Sequence, residues 1–498
     1  MRILFDTNIL ILRENNHVIP DNLAKMMELL NGLSCTCHIH PLSKNEIKKD
    51  GNNERRNVNL SKLSAYSELA SCPDYLKDES FIQAIEEPKN ENDIVDNQLL
   101  YCVYKNAVDY LITEDQAILN KADILGLEQV MSINEAIVSF EQFYPKTDIN
   151  LLPSFIIDKG YNFDLNDEIF TTLKRDYPEF SSYWWPKKVA KRDVYAYKSY
   201  DGKINAILVL KIEENENIDC VPTLKTNKIL KICLFKVAEH AQGLRLGERL
   251  IRMAIDYAIA NEVEEIYLTH FKEKKDSLIY LIEKFGFFKY GENSRGEEIF
   301  IKQIIKKDDK IDDILEINKM YYPSFYSGDK VKKHIVPIYP QFHKKLFPDH
   351  NINTRQRSLF DLTSSEGNSI KKAYICNSNT GKIAPGDILL FYRTNDNMSI
   401  TTLGTVESVH FKLKSPEEIF KLIAKRTVFS FEEVKSICNS DVLVILFNQN
   451  FHLIHDVSYK TLCQTGVVSG PIQTITEISD KNYRDIIKGN IDERFIIH

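Results

Sequence analysis

The chain has 498 residues, 43% of them hydrophobic and 27% charged, the composition of globular protein and a length that suits about three domains of 100–200 residues. A formal net charge of −7 excludes nucleic-acid binding by overall basicity and leaves room for a local basic patch. There is no apolar run of about 18 residues to span a membrane, the stretch before Asp6 is too short for a signal peptide, and nine scattered cysteines argue against a disulfide framework and for the cytosol.

Residues 1–145 alternate short apolar runs with helical patterns. Ile3–Phe5, Cys35–Ile39 and Tyr110–Ile112 are predicted strands, and Asp21–Asn31 and Ile94–Lys105 predicted helices, an order that implies a parallel sheet covered on both faces. Cys35-x-Cys37-His38-x-His40 has metal-ligating residue types, but it lacks a second spaced pair and alternates as a buried strand does. Residues 145–160, with Pro145, Pro153 and Gly160, read as a connection. Beyond Tyr183, Val194–Tyr200 and Ile204–Ile212 flank Asp201-Gly202, a hairpin signal. A strand at Ile229–Val237, a helix from about Gly243 to Ala260, a strand at Glu265–Thr269 and a helix ending near Gly286 follow, closing near Gln303. Lys306–Lys310 is a charged linker. Further on, Ile388–Tyr392, Thr405–Val409 and Asp441–Phe447 are short strands around a helical insert at Pro416–Ile423, a pattern of a small β-barrel with helices.

Acidic residues fall just past predicted strands of the first part. Asp6 follows Ile3–Phe5, and Asp115 follows Tyr110–Ile112. Asp96 lies near a helix start ahead of the buried Leu99, Leu100 and Val103, Asp93 shares its face one turn earlier, and Glu46 follows Ser43. Singly, Asp6 reads as a turn aspartate and Asp96 as an acid favoured by the helix dipole. Together, at strand ends where ligands bind in parallel α/β sheets, they form a set of hard oxygen donors suited to Mg²⁺ or Mn²⁺. Such a cation polarises a phosphodiester and activates water without a covalent nucleophile. Phe5-Asp6-Thr7-Asn8, Ser43-x-x-Glu46, Asp96-x-x-Leu99-Leu100 and Thr113-x-Asp115 resemble the PIN domain family over about the first 140 residues. The resemblance implies a single-strand RNA-cleaving site with one or two divalent ions, in which Asp6, Glu46, Asp96 and Asp115 are the carboxylates and Asp6, Asp96 and Asp115 hold metal. Asp93 shares or replaces the role of Asp96, and the Thr-x-Asp spacing selects Asp115 over Glu114.

In the middle part, the strand ending at Val237 leads into Gln242-Gly243-Leu244-Arg245-Leu246-Gly247-Glu248, a glycine turn opening a helix. Free N–H groups and the helix dipole favour an anion there, with pyrophosphate the natural ligand. Leu246, Leu250, Met253 and Tyr257 recur at helical spacing and should pack on the sheet. With the hairpin before it and Glu283-Lys284-Phe285-Gly286-Phe287 after it, this stretch resembles the GNAT acetyltransferase family over about residues 180–303, which implies acetyl-CoA bound by the turn from Val237 to Glu248. Two residues depart from the family pattern. Arg245 occupies the first glycine position, where its side chain either crowds phosphate or pairs with it, and Ile282 replaces the usual tyrosine acid; Tyr280 is nearby but faces elsewhere on the helix, so protonation of the thiolate leaving group would need another donor or solvent. Trp184-Trp185 ahead of Pro186-Lys187-Lys188 reads as packing under the sheet, with base stacking as the alternative.

The last part offers Pro385-Gly386-Asp387 before Ile388–Tyr392, then Gly404-Thr405-Val406-Glu407 and the helical insert. It resembles ASCH and related PUA-like barrels over about residues 330–498, which implies RNA or modified-nucleotide binding. Phe342-His343-Lys344-Lys345 through Arg355-Gln356-Arg357, and Lys425-Arg426-Thr427, are candidate phosphate contacts or solvated basic loops.

The fold class is thus multidomain α/β: a PIN-like parallel α/β sandwich at 1–145, a GNAT-like α+β domain at 150–305 and a small PUA/ASCH-like β-barrel at 325–498. The function these resemblances imply is a metal-dependent ribonuclease with a fused acetyl-CoA-dependent acyltransferase, acting on RNA such as tRNA, as a toxin or defence protein with an antitoxin or homodimer partner. Two alternatives stay open: an acetyltransferase on a non-cleaving RNA platform, and a regulator that only binds RNA.

Overall fold

The structure is a computed structural model. It describes the chain apart from residues 15–19, 34, 49–55, 57–59, 61–62, 64–65, 70–71, 86–87, 89, 144–153, 200–201, 225, 242–244, 272–276, 308–310, 351–368, 379, 424–425 and 427–428. The chain forms two compact units, one of residues 1–149 with 415–425 and 429–436, the other of 150–414, 426–428 and 437–498.

The first unit is built on five parallel strands, β1 (Arg2–Phe5), β2 (Thr36–Ile39), β3 (Ser67–Glu68), β4 (Tyr110–Ile112) and β5 (Val130–Met131), in the order β3-β2-β1-β4-β5. Ile3, Leu4 and Phe5 are all fully buried, as both faces of a helix-covered parallel sheet require. Leu4, Leu111 and Val130 pack with Leu99, Leu100, Val103 and Ile118 from helices Glu91–Tyr104 and Gln116–Ile124. Helices Asp21–Gly32 and Ile133–Glu141 pack together, and Tyr110 stacks edge-on against Phe140. Cys37 and His38 lie within β2, as their alternation predicts. Helix Pro416–Ile423 belongs to this unit, with Phe420 against Phe143 and Lys421 donating to Asp109 at 2.7 Å. The sequence placed that helix with the last part of the chain, because local pattern does not say which core an amphipathic face will find.

The second unit contains two large sheets and a two-stranded pair. The first runs β11-β12-β10-β9-β8-β7-β6, formed by β6 (Ser154–Lys159), β7 (Asp193–Lys198), β8 (Ile204–Glu214), β9 (Lys228–Val237), β10 (Glu265–His270), β11 (Phe288–Glu292) and β12 (Glu298–Gln303). Neighbours are antiparallel except β9 and β10, which helix Leu246–Ala260 connects. β6 corrects the reading of 145–160 as a connection. Ser154-Phe-Ile-Ile-Asp-Lys159 is short and lacks clean alternation, and its strand state comes from pairing with β7. Trp185 is buried and donates Nε1–H to Gly160 O at 2.9 Å, so its indole is packing and not a stacking platform.

The remaining strands are β13 (Phe325–Tyr326), β14 (Lys333–Ile338), β15 (Lys371–Cys376), β16 (Ile388–Arg393), β17 (Ser399–Leu413), β18 (Val442–Ser458), β19 (Thr476–Ile478) and β20 (Ile496–Ile497). Six of them form a sheet in the order β15-β18-β17-β16-β14-β19, and β13 pairs with β20. The expected small barrel is therefore seen as a six-stranded mixed sheet with β15 and β19 as its outer strands among the described residues. Ile388, Leu390 and Tyr392 enter one core and Leu389 and Phe391 another, so the apolar run of β16 reflects two buried faces. A buried polar seam joins the two sheets: Arg252 Nη2 donates to Asp349 Oδ2 at 2.6 Å, and His452 Nε2 lies 3.0 Å from Asp349 Oδ1. Of the proposed basic contacts, Arg355–Arg357, Lys425 and Thr427 lie outside the described residues, His343 is buried, and Arg426 is bound to Glu407 Oε2 at 2.6 Å. That ion pair corrects the reading of Arg426 as a phosphate contact, since its guanidinium is already neutralised.

Candidate functional site

In the first unit the chain lays down β1, β2 and β3 in one direction and returns to place β4 on the other side of β1. The carboxyl ends of β1 and β4 therefore flank a topological switch point, where parallel sheets open a ligand crevice. Asp6 and Thr113 are the residues immediately beyond those ends. Asp6 is buried, at 3% exposure, and its Oδ2 accepts from Thr113 Oγ1 at 2.8 Å and from Asn8 Nδ2 at 3.4 Å. Thr113 Oγ1 in turn accepts the Asp115 N–H at 2.9 Å, and Asp115 caps helix Gln116–Ile124 by accepting from Ala117 N–H at 2.8 Å. Glu46, on helix Pro41–Lys48, accepts from Thr7 Oγ1 at 2.6 Å.

Electrostatics tie these groups together. Burial pushes the Asp6 carboxyl up, and the charges of Asp115 and Glu46 add to it against the Thr113 hydrogen bond. Asp96 is pushed up to about 7, first by burial, then by Asp115 and Asp6, with Lys121 opposing and Glu46 adding. A buried carboxyl raised by the charges of neighbouring carboxylates calls for a proton or a cation. Lys121, which donates to Asn97 Oδ1 at 2.6 Å, is a member that the sequence reading missed. It lies on the helix after Asp115 with no motif around it, and only the approach of that helix to Glu91–Tyr104 brings it in. Asp93 stands apart. Its N–H bonds Asn90 Oδ1 at 3.0 Å as part of a helix cap, and its charge acts on Tyr75. Glu114 turns to the start of the next helix and accepts from Ile133 N–H at 2.7 Å. The geometry thus gathers Asp6, Glu46, Asp96 and Asp115 and leaves out Asp93 and Glu114. Their oxygens suit a hard divalent cation.

In the second unit, β9 and β10 pair from Leu230↔Ile266 to Ile232↔Leu268 and then part, although β9 runs on to Val237 and β10 to His270. At the same point the β8–β9 register slips, Val209 facing Leu234 and Leu210 facing Ile232, so Cys233 bulges out of the ladder. The parting of two parallel strands leaves the edge of β9 from Cys233 to Val237 without a β10 partner, and the helix that follows begins at Leu246. Gln242, Gly243 and Leu244 lie outside the described residues.

Arg245 adopts φ 58°, ψ 18°, the left-handed conformation that glycine takes most readily. Its side chain does not await a phosphate. It pairs with Glu248 Oε2 through Nε and Nη2 at 3.0 and 2.6 Å and donates to Lys371 O at 3.1 Å, which corrects the phosphate-pairing alternative. Glu248 Oε1 accepts the N–H groups of Ile370 and Lys371 at 2.7 and 2.9 Å. Burial alone would raise the Glu248 carboxyl, but Arg245 and the Lys371 N–H hold it below its ordinary range. Gly247 serves packing, because a Cβ there would lie 2.4 Å from Leu281 Cδ2. Ile282 is fully buried and carries no proton donor, while Tyr280 on the same helix is half-buried.

Residues 161–287 match the acetyltransferase (GNAT) family, and the chain therefore contains a GNAT acetyltransferase domain, a family whose acyl donor is acetyl-CoA. Among solved structures, the chain is similar to an ASCH protein from Zymomonas mobilis, at 10% identity and a TM-score of 0.25 over 32% of this chain and 94% of that one. It is similar to arylalkylamine N-acetyltransferase 2 from Aedes aegypti, at 11% identity and a TM-score of 0.22 over 30% and 99%. It is likewise similar to an IAA acetyltransferase from Bacillus cereus, at 16% identity and a TM-score of 0.22 over 30% and 97%. No curated protein matches the sequence. Among the described residues no helix is long and apolar enough to cross a membrane.

Proposed function

We propose that this protein is an acetyl-CoA-dependent N-acyltransferase whose N-terminal unit is a metal-dependent ribonuclease of PIN type. The observation that carries the acyltransferase reading is the parting of β9 and β10 at the Cys233 bulge, within the stretch that matches the GNAT family. Acetyl-CoA supplies an acetyl thioester. The edge of β9 from which β10 parts would orient it through backbone N–H and C=O groups, and the Val237–Glu248 turn and the first N–H groups of helix Leu246–Ala260 would face its diphosphate. With Ile282 at the usual acid position, another donor or solvent would have to supply the proton to the departing thiolate.

The coupled carboxylates favour the second activity. Asp6, Asp96 and Asp115 would hold Mg²⁺ or Mn²⁺, with Glu46 completing the acidic wall, and Lys121 would offset surplus negative charge. A divalent cation there would activate water against a phosphodiester. RNA is the common substrate that suits both activities, tRNA or an aminoacyl group on it being the economical choice. The last part, approximately residues 325–498, would act as an ASCH/PUA-like RNA-binding domain. This reading suits a cytosolic toxin or defence protein, with an antitoxin or a second copy as partner.

The test is calorimetry with acetyl-CoA, followed by transfer of labelled acetyl to total RNA, charged tRNA and protein. Binding together with label on one class supports the reading, and absence of acetyl-CoA binding overturns it. In parallel, wild type and the Asp6→Asn, Asp96→Asn double variant are incubated with total RNA and Mn²⁺ or Mg²⁺. Cleavage that the variant loses supports the nuclease, and a wild type inert with both metals removes it.

A further inference from the structure

Besides the carboxylates, the first unit gathers a second set of ligating side chains. A ring nitrogen of His40, at the carboxyl end of β2, and the sulphurs of Cys72, beyond β3, and Cys102, on helix Glu91–Tyr104, all lie within 4.8 Å of one another. His40 is 3% exposed and Cys102 is fully buried. His40 Nδ1 accepts the Leu42 N–H at 3.1 Å, which leaves Nε2 as a buried nitrogen with no hydrogen-bond partner among the described residues. The Cys72 thiol makes a long contact of 3.9 Å to Leu69 O and a hydrogen bond with the Cys102 thiol, which places the two sulphurs side by side. A buried imidazole nitrogen without a partner is uncommon and asks for an occupant.

We infer that His40, Cys72 and Cys102 form a site for a soft d¹⁰ cation, zinc(II) or copper(I), separate from the carboxylate cluster. Two sulphurs and one imidazole are the donors such ions select, whereas Mg²⁺ and Mn²⁺ select oxygen. Loading converts both thiols to thiolates, so two protons leave to solvent as two metal–sulphur bonds form. Binding through Nε2 moves the ring proton to Nδ1, which ends the Leu42 N–H contact; one hydrogen bond is exchanged for a coordinate bond. Three ligands suit trigonal copper(I), and zinc(II) takes a fourth donor from solvent. The three residues come from separate segments, so the cation would cross-link the start of the helix carrying Glu46 to the helix carrying Asp96. A reader of the sequence meets only the first ligand. His40 ends the Cys35-x-Cys37-His38-x-His40 run, and its partners lie more than thirty and sixty residues further on.

The full-length protein, reduced and freed of metal, is titrated with zinc(II) against a chromogenic chelator and, anaerobically, with copper(I) against bathocuproine disulfonate. One equivalent retained by the wild type and lost by Cys72→Ser with Cys102→Ser supports the site, and the arm that competes better names the ion. Failure to retain either ion, or equal retention by the double variant, overturns it. Because buried variants can misfold, X-ray absorption on the loaded wild type provides a second measure. A first shell of two sulphurs and one imidazole nitrogen supports the assignment, and one of four sulphurs or of oxygen and nitrogen alone overturns it.

Discussion

Replacing Asp96 with asparagine should stabilise the metal-free first unit while removing its capacity for Mn²⁺. Burial and the charges of Asp115 and Asp6 move the Asp96 carboxyl from 3.8 to about 7. At about 1.4 kcal/mol for each pKa unit, keeping it ionised at pH 8 costs the fold up to about 4 kcal/mol. Asp96 is half-buried, and asparagine also forgoes the attraction of Lys121, so a gain of about 1–3 kcal/mol is expected, or about 3–8 °C for a unit of this size. The pH dependence follows from the direction of the shift. The folded carboxyl binds its proton more tightly than the unfolded one, so relative stability is fully present below pH 3.8 and is lost as pH rises through about 7. The asparagine variant should therefore be the more stable above neutrality, and its advantage should fade towards about pH 4. Differential scanning calorimetry of both full-length proteins in EDTA, from acid to pH 8, measures this, and Mn²⁺ added at pH 8 should raise the transition of the wild type only. A variant that melts lower at pH 8, or an advantage that does not change with pH, would refute the argument that these carboxylates repel one another.

Thr113→Val removes the hydroxyl that donates to Asp6 and accepts from the Asp115 N–H. Mn²⁺ affinity should fall about 10–100-fold by calorimetry, as for other groups that orient a ligand without touching the ion. Glu248→Ala strands Arg245 and two backbone N–H groups and should cost about 3–5 kcal/mol in denaturant unfolding of the second unit. Because the Glu248 carboxyl is held below 4.5, the wild type should keep its contribution above that value and lose it as pH falls further, whereas the variant lacks this acid dependence. Gly286→Ala meets φ +79° and a Cβ 2.3 Å from Lys319 O. It should destabilise the second unit by about 3 kcal/mol or more, read as a lower melting temperature and reduced soluble yield.

Much of the local architecture was legible because the signals are local. The β1 and β4 runs, the Gly202 hairpin and the helix from Leu246 follow from apolar spacing and turn chemistry. The Thr113-x-Asp115 spacing is also local, since the Thr113 hydroxyl accepts the Asp115 N–H two residues on, whereas its bond to the Asp6 carboxylate, 107 positions away, depends on the pairing of β1 with β4. Strand β6 was not legible, because an edge strand is defined by the neighbour it pairs with. Nor was the fate of helix Pro416–Ile423, whose apolar face would suit any core, or that of Arg245, whose charge is neutralised by a residue one turn away and by a carbonyl 126 positions distant.

By itself, then, the sequence determined where strands and helices begin, which residue types could ligate, and that a glycine-like turn precedes a helix at Leu246. Tertiary structure decided which of those residues meet. It drew Asp6, Glu46, Asp96, Asp115 and Lys121 together and left Asp93 at a helix cap, opened β9 from β10 at Cys233, and brought Cys72 and Cys102 to His40. Hydrophobic periodicity is written every two or three to four residues, but electrostatic coupling depends on distance in space, which only the packed fold sets.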